Sequence, residues 1–182
     1  MPNWCDTTYK AVGTKEQVKR FYDLAMSSWN KSKGNNSGWI GHFVTELGGK
    51  WEEVSCRGWM QDEPELSADG EMCTIVCNTA WGEPYEWRTF IEEHIDGLFL
   101  YYVAIEPGCC VYCSNDDDYT GKYYVDNWED GSYELTEYET IEYVNKHFDK
   151  SFTTIGECID FADAHTDKDG DRVLWINAFE VE

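Results

Sequence analysis

The order of strand-like and helix-like patterns in this 182-residue sequence predicts an α+β fold. Apolar residues recur at helical spacing behind a first strand, near-continuous apolar runs follow later, and Gly and Pro residues separate these segments. With 42% hydrophobic and 16% aromatic residues, the chain has enough apolar side chains for a packed core, which excludes wholesale disorder. The length favours a single domain, 1–182.

The first third of the chain predicts a strand, a helix and an insertion. Residues 5–12 are typical of a strand, and Thr14 with Gln17 has the spacing of a helix capping box. Behind this box, apolar residues at helical spacing predict a helix over 15–29. From about 30 to 68 the sequence is rich in tryptophan and glycine without clear periodicity, so we expect an irregular insertion with at most one short helix or strand.

The rest of the chain predicts a sheet with helices on one face. In chain order we expect a strand over 70–79, a helix from Pro84 to near Gly97, a buried strand over 98–105, two further strands of one meander over 109–114 and 121–126, helices over 136–149 and 152–164, and a strand over 172–181. The early β-α-β spacing fits a split βαβ, ferredoxin-like sheet. The acidic segment 115–182, with an extra helical pair and a last strand, elaborates this domain at its C-terminal end.

The net charge of −22, from 36 acidic and 14 basic residues, is the most unusual property of the composition. It argues against a protein whose main task is to grip phosphate backbones, and for a basic partner or for charge that only solubilises. Residues 1–50 hold seven basic and four acidic residues, whereas 51–182 hold seven and 32. The acidity therefore belongs to the last two-thirds of the chain.

The N-terminal residues and the length of the apolar runs indicate where in the cell the protein is located. The N-terminus lacks the basic and apolar regions of a secretory signal. No stretch approaches the ~18 consecutive apolar residues of a membrane span. We therefore expect a cytoplasmic protein that does not bind membranes.

The eight cysteines are expected to be reduced thiols, several of them in the core. A zinc site would need paired ligands close together in space. Cys73 and Cys77 lie on one predicted strand, about 13 Å apart at the usual rise, and Cys110 and Cys113 would point to opposite faces of a sheet. These spacings disfavour zinc.

The alternating aspartates Asp167, Asp169 and Asp171 are one weak candidate for a calcium or catalytic metal site. An EF-hand counted from Asp167 would need Gly and Glu where Arg172 and Ala178 stand, so a plain Asp/Gly turn is the alternative. The four histidines lie in no hydrolase signature, and no Gly-rich phosphate loop is present. We therefore predict neither a catalytic residue nor a cofactor.

The segment from Asn115 to Glu142 carries ten carboxylates against one lysine, with aromatic residues between them. Like charges at this density repel and weaken a fold, while Tyr and Trp are common anchors of interfaces. Alternate carboxylates on an extended segment would stand about 7 Å apart, much as a nucleic-acid backbone spaces its charges. The predicted partner-binding residues are Asp116, Asp117, Asp118, Tyr119, Asp126, Trp128, Glu129, Asp130, Glu134, Glu137, Glu139 and Glu142.

Three motifs resemble those of a known family. They are the opening Met1-Pro2-Asn3-Trp4-Cys5, the turn Trp81-Gly82-Glu83-Pro84 before a helix, and Glu106-Pro107-Gly108 after a buried strand. In these motifs the chain resembles the YubB-like ferredoxin-fold proteins of phages and plasmids. That resemblance implies the fold and a mobile-element origin, and no activity. In size and acidity the chain is more loosely similar to phage anti-CRISPR proteins that inhibit Cas9.

Together these observations predict a phage or mobile-element counter-defence protein. It would bind a basic nucleic-acid-binding protein through an acidic surface that mimics nucleic acid and blocks DNA binding or cleavage. The similarity to anti-CRISPR proteins, and not the residues themselves, implies that this partner is Cas9 with its guide RNA rather than a restriction enzyme or a host transcription factor. Lys15, Lys19 and Arg20 could add a weak nucleic-acid contact. The alternatives are a metal-dependent enzyme or calcium-binding module that uses the Asp167–Asp171 loop, and a structural or regulatory phage protein without a nuclease partner.

Overall fold

The computed structural model describes residues 3–31 and 37–182, which form two compact units. The N-terminal unit extends to Asn115 and the C-terminal unit begins at Asp116. The boundary lies one residue beyond the start that we predicted for the acidic elaboration, at 115. The domain predicted as 1–182 is thus divided into a βαβ-type unit and a smaller acidic unit, each with its own hydrophobic core.

The N-terminal unit alternates strands and helices as predicted. Its elements are β1 (Trp4–Val12), α1 (Lys15–Asn30), α2 (Gly41–Glu46), β2 (Gly58–Met60), β3 (Glu65–Leu66), β4 (Met72–Ala80), α3 (Tyr85–His94), β5 (Phe99–Glu106) and β6 (Val111–Ser114). Strands β6, β5, β1, β4 and β2 lie side by side in that order, and β3 also pairs with β4. All these pairs are antiparallel. With α2 and β3 set aside, the succession β1-α1-β2-β4-α3-β5 is that of the ferredoxin-like split βαβ fold, so the predicted fold class is confirmed.

The predicted insertion is more regular than its sequence suggests. It contains α2, a 3₁₀ turn over Trp51–Glu53, β2 and β3. β2 is the second strand that the split βαβ arrangement requires, and its three residues are too few to show a strand periodicity. Residues 32–36 of the predicted insertion lie outside the described part of the chain.

One face of the N-terminal sheet carries the core. Alternate residues of β1 point to this face, as the period of two demands, and Cys5, Tyr9 and Ala11 are fully buried there. They share a cluster with residues of α1 and α3, among them Phe21 and Trp87. The capping box predicted from Thr14 and Gln17 starts α1: each backbone N–H donates to the side chain of the other residue.

The cysteines follow the predicted pattern in the core. All eight are free thiols, and five of them, Cys5, Cys56, Cys73, Cys77 and Cys158, are buried. Burial raises the pKa of Cys5 to about 11 and that of Cys73 to about 12, because a thiolate is poorly solvated there. These buried thiols behave as small apolar side chains.

The C-terminal unit is a three-stranded sheet with two helices. Its elements are β7 (Lys122–Asn127), β8 (Gly131–Thr136), α4 (Glu137–Phe148), α5 (Ile155–Ala164), β9 (Leu174–Ala178) and the two-residue strand β10 (Glu180–Val181). The sheet order is β8-β7-β9, with antiparallel pairs. Val125, Leu174 and Ile176 of the sheet pack with Val144 of α4 and Cys158 of α5.

The pairing of residues 121–126 corrects one prediction. We expected them to be the third strand of a meander with β5 and β6. Instead β7 pairs with β8 and β9 in a separate sheet. The physical reason is twofold. The tight turn at Trp128–Asp130 brings β7 directly beside β8, its neighbour in the sequence. In addition, Val125 is buried in the core of the C-terminal unit. The predicted helices over 136–149 and 152–164 are present as α4 and α5.

A buried ion pair connects β1 to α3. One oxygen of Glu83 accepts hydrogen bonds from Tyr9 Oη at 3.1 Å and from Arg88 Nε at 3.2 Å. The Arg88 guanidinium also lies over the rings of Tyr85 and Tyr102, at 5.1 and 5.0 Å. Burial, followed by the charge of Glu83, raises the pKa of Tyr9 well above its ordinary value, so Tyr9 remains a donor.

Glu83→Ala should destabilise the N-terminal unit strongly, because it leaves the buried Arg88 without its counter-charge and Tyr9 without an acceptor. We expect a loss of about 3 kcal/mol in the free energy of unfolding. Seven of the nine tryptophans belong to this unit, so urea unfolding followed by tryptophan fluorescence measures it. Glu93→Ala, at an exposed position of α3, is the control. Equal stability of the two variants would contradict the assigned role of Glu83.

Candidate partner-binding surface

All twelve predicted partner-binding residues lie in the C-terminal unit, which contains five Lys and Arg residues against 19 Asp and Glu residues. We call their exposed carboxylates and aromatic rings, together with Tyr138, the acidic face. Its residues come from three places: a 3₁₀ turn over Asp117–Tyr119, the β7–β8 hairpin, and the start of α4. The extended row of carboxylates that we expected is therefore not formed, because the segment folds into a turn, two strands and a helix.

The 3₁₀ turn presents two free carboxylates and holds one aromatic ring in place. Asp116 Oδ1 accepts the backbone N–H of Asp118 at 3.1 Å, while the carboxylates of Asp117 and Asp118 are exposed. Lys122 Nζ lies 3.9 Å from the centre of the Tyr119 ring. Burial and the nearby Glu134 carboxylate raise the pKa of Tyr119 to about 12. Tyr119 is thus a packed residue of this unit rather than an exposed anchor.

The β7–β8 turn carries the most exposed large aromatic ring of the described residues. Trp128 is 81% exposed. Its backbone N–H donates to Val173 O at 3.0 Å, and Asn127 Oδ1 accepts the N–H of Glu129 at 3.1 Å. The backbone of the turn is therefore fixed while the indole ring and the Glu129 carboxylate face solvent.

Asp130, the next residue of the turn, belongs to a network of hydrogen bonds that we did not predict from the sequence. Tyr143 Oη donates to Asp130 Oδ2 at 3.1 Å and accepts from Asn127 Nδ2 at 2.9 Å. His147 Nε2 lies 3.3 Å from the same Asp130 oxygen, and its ring stacks on Tyr143 with centroids 4.1 Å apart. Burial is the main cause that raises the pKa of Tyr143 to about 12, which keeps its hydroxyl protonated. The i,i+4 spacing of Tyr143 and His147 on α4 was the available signal.

The start of α4 combines a cap with an exposed aromatic ring. Glu139 Oε2 accepts the N–H of Thr136 at 2.9 Å and Thr136 Oγ1 accepts the N–H of Glu139 at 3.3 Å, which closes a capping box. Glu139 Oε2 also accepts the Thr136 hydroxyl at 2.8 Å, and the two bonds that this oxygen accepts from Thr136 lower the pKa of Glu139. Tyr138 is 68% exposed and donates to Glu142 Oε1 at 2.7 Å.

The carboxylates of the acidic face therefore form two groups. Six have partners within their own unit: Asp116, Asp126, Asp130, Glu134, Glu139 and Glu142. The other four accept no hydrogen bond and form no ion pair within the described residues: Asp117, Asp118, Glu129 and Glu137. Only this second group is free to bind a partner at no cost to the fold.

Two of the three basic side chains of α1 that we predicted to contact nucleic acid pair with acidic neighbours. Lys19 Nζ lies 2.6 Å from Asp23 Oδ2, and Lys15 Nζ lies 3.8 Å from Glu71 Oε1. Arg20 forms no ion pair with any described residue. Surface pairs of this kind contribute little stability and can exchange partners.

The Asp167–Asp171 loop is closed by its own backbone. Asp167 Oδ1 accepts the N–H groups of Asp169 and Asp171, at 2.8 and 2.9 Å. Over residues 3–31 and 37–182, no group of three or more His, Cys, Asp or Glu side chains is placed to hold a metal ion. Nor does any helix in these ranges have the length and apolar character needed to cross a membrane.

Comparisons with protein-family models, with curated proteins and with solved structures find no significant match to this chain. The resemblance to YubB-like proteins, and the looser one to anti-CRISPR proteins, therefore stay predictions.

Neutralising substitutions should separate the two groups of carboxylates. Glu129→Gln should leave the melting temperature unchanged or raise it, because it removes only repulsion. Glu139→Gln should lower the melting temperature, because the amide accepts the Thr136 hydrogen bonds less strongly. Since folding lowers the pKa of Glu139, this stabilisation is present above the ordinary value of 4.5 and is lost as the pH falls through the folded value.

The melting temperatures of the wild type and of each variant are measured by circular dichroism at pH values above and below 4.5. The difference between wild type and Glu139→Gln should shrink as the pH falls below 4.5. A difference that persists or grows at low pH would show that the carboxylate charge of Glu139 is not what stabilises the start of α4.

Proposed function

We propose that this is a non-enzymatic binding protein of phage or mobile-element origin, which docks its acidic face into a basic, nucleic-acid-binding groove of a partner protein. The observation that carries the proposal is the set of carboxylates without partners beside two exposed aromatic rings. Cas9 with its guide RNA is the partner we propose, and the bacterial cytoplasm is where the two would meet. Occupation of the groove would block DNA binding or cleavage.

The uncompensated charge supports a role outside folding. Asp117, Asp118 and Glu129 form no ion pair within the described residues, so their charges weaken the unit through repulsion. Glu137 is also without an ion pair there, although its place in the first turn of α4 offsets part of its repulsion. A basic groove would turn this repulsion into attraction and speed association. A Cas9 complex holds its guide–target heteroduplex in a channel of this kind.

The exposed aromatic rings support binding by contact as well as by charge. Trp128 and Tyr138 are among the most exposed large apolar side chains of the described residues. Trp and Tyr are enriched among the few residues that carry most of an interface's binding energy. Trp128 stands on a fixed turn, so little conformational entropy is lost when its ring is buried by a partner.

Binding through the acidic face should weaken steeply with salt. Exposed charges are screened beyond ~8 Å at physiological ionic strength, so the dissociation constant for a Cas9–guide RNA complex should rise about tenfold or more between ~0.05 M and ~0.3 M NaCl. Titration by biolayer interferometry at several salt concentrations measures this change. A dissociation constant that does not change with salt would refute electrostatic mimicry.

Reversing only the free carboxylates tests the surface without damaging the fold. The variant Asp117→Lys, Asp118→Lys, Glu129→Lys should lose about tenfold or more in affinity for the partner, mainly through slower association, while its melting temperature is maintained. Trp128→Ala should cost a similar factor, mainly through faster dissociation. The matched control reverses three charges at exposed acidic positions of the N-terminal unit: Asp62→Lys, Glu63→Lys and Glu93→Lys.

Two outcomes would contradict the proposal. Equal losses in the control and in the acidic-face variant would mean that net charge alone matters. Full affinity in the acidic-face variant, with loss in a Lys15, Lys19 and Arg20 triple alanine variant, would move the working surface to α1 and favour direct contact with nucleic acid.

A further inference from the structure

The N-terminal unit contains a groove of about 690 Å³ whose lining includes three tryptophans. Trp39, Trp51 and Trp59 line it, with Val54 and Cys56 beside them. A concave site with apolar walls and few polar groups is the usual form of a binding pocket. None of the carboxylates of the acidic face takes part in it, so the proposed function leaves this groove unexplained.

The walls of the groove are held in place by contacts among the aromatic rings. Trp39 and Trp59 face each other in an isolated antiparallel bridge. The Trp39 ring packs edge-on against Trp51 and against His42, with centroids 5.2 Å apart in both pairs. It lies so close to Gly41 that a Cβ atom there would clash with the ring. The site is therefore formed before any ligand arrives.

A second depression, of about 410 Å³, shares Ser55 and Arg57 with this groove and is lined further by Trp81, Gly82 and Pro84. Trp81 is 57% exposed. Its φ of 73° lies in the left-handed region, which bulky residues rarely adopt. We call the two depressions together the tryptophan groove; Arg57 lines both of them, and each has a partly exposed tryptophan, Trp51 or Trp81.

Three of the four indole N–H groups of the groove are available as donors, whereas that of Trp59 is buried and has no partner among the described residues. Those of Trp39, Trp51 and Trp81 make no hydrogen bond with any described residue. Trp51 is 44% exposed, and the Trp39 nitrogen is not among the buried polar atoms. A ligand that suits this site offers apolar faces for the rings and carbonyl oxygens for the indole donors.

We propose that the tryptophan groove binds a proline-rich peptide segment in the polyproline II conformation. Such a helix has no internal hydrogen bonds, so its carbonyl groups are free to accept, and aromatic-lined grooves recognise its proline rings. Its low conformational entropy favours binding to a preformed site.

The charge of the groove distinguishes this ligand from a polyanion. Glu52 and Arg57 are the charged side chains that line the larger depression, so its lining is neutral. In the smaller one, the Glu83 carboxylate is bound by Tyr9 and Arg88. A nucleic acid would need more cations than one arginine and would be repelled by the net charge of −22. A proline-rich segment needs no compensating charge.

The test is a titration of the full chain with fluorescein-labelled decaproline, followed by fluorescence polarisation. We expect saturable binding, and a loss of affinity of about fivefold or more in each of Trp51→Ala and Trp81→Gly. Glycine adopts the backbone conformation of position 81 without strain, so the second variant removes the ring and should keep the fold. Trp128→Ala, which removes an exposed tryptophan of the other unit, is the matched control and should bind decaproline like wild type.

A second measurement reports on the site even if one variant is unstable. In a ¹H–¹⁵N spectrum of the wild type, the indole signals of Trp39 and Trp51 should shift on addition of decaproline, while that of Trp128 should not. Absence of saturable binding, or binding unchanged in both groove variants, would overturn the proposal. So would binding of an octathymidylate or of cellohexaose that the groove variants abolish, since either would identify another class of ligand.

Discussion

The buried carboxylate of Glu83 connects the parts of the N-terminal unit that have to meet. It accepts from Tyr9 at the centre of the sheet and from Arg88 on α3. A buried charge without partners would cost several kcal/mol, so strand, turn and helix are held in one arrangement. The same turn places Trp81 in its left-handed conformation at the edge of the tryptophan groove. The Trp81–Pro84 motif therefore has a structural reason that holds whether or not the chain belongs to the family it resembles.

The C-terminal unit has to fold against its own charge. Part of this repulsion is offset because several carboxylates accept hydrogen bonds from backbone N–H groups or hydroxyl groups of the same unit. Glu139 and Glu157 close the capping boxes of α4 and α5, and Asp130 accepts from Tyr143. These bonds accompany an apolar core between sheet and helices, and they leave about half of the unit's 19 carboxylates without a hydrogen bond or ion pair among the described residues. The acidity of the sequence is thus partly architecture, and only the remainder needs a partner to explain it.

Sequence periodicity predicted the fold well where the signal is local. The helices α1, α3, α4 and α5 and the central strands follow from apolar spacing, capping residues and turn residues. β8 was missed because Gly131–Thr136 is almost wholly exposed and carries no apolar alternation. β7 was assigned to the wrong sheet because strand pairing depends on tertiary packing, which the pattern of one strand does not contain.

The two candidate sites also differ in how far they could be predicted from the sequence. The acidic face could be predicted because its residues are neighbours in the sequence, although sequence alone did not separate free carboxylates from bonded ones. The tryptophan groove could not, because Trp39, Trp51, Trp59 and Trp81 are brought together only when β2 pairs with β4 and α2 packs beside them. Seven tryptophans in one unit indicated aromatic packing without indicating that part of it faces solvent.

The two surfaces depend on different forces, which bears on how one chain could use both. Attraction by the acidic face is long-ranged and is screened by salt, whereas contact in the tryptophan groove is short-ranged and nearly independent of ionic strength. A partner that carried both a basic groove and a proline-rich segment would bind the second site at a high effective concentration once the first was occupied. The acidic face would then govern the rate of association and the groove the lifetime of the complex, because steering charges act mainly on association and buried aromatic contacts act mainly on dissociation.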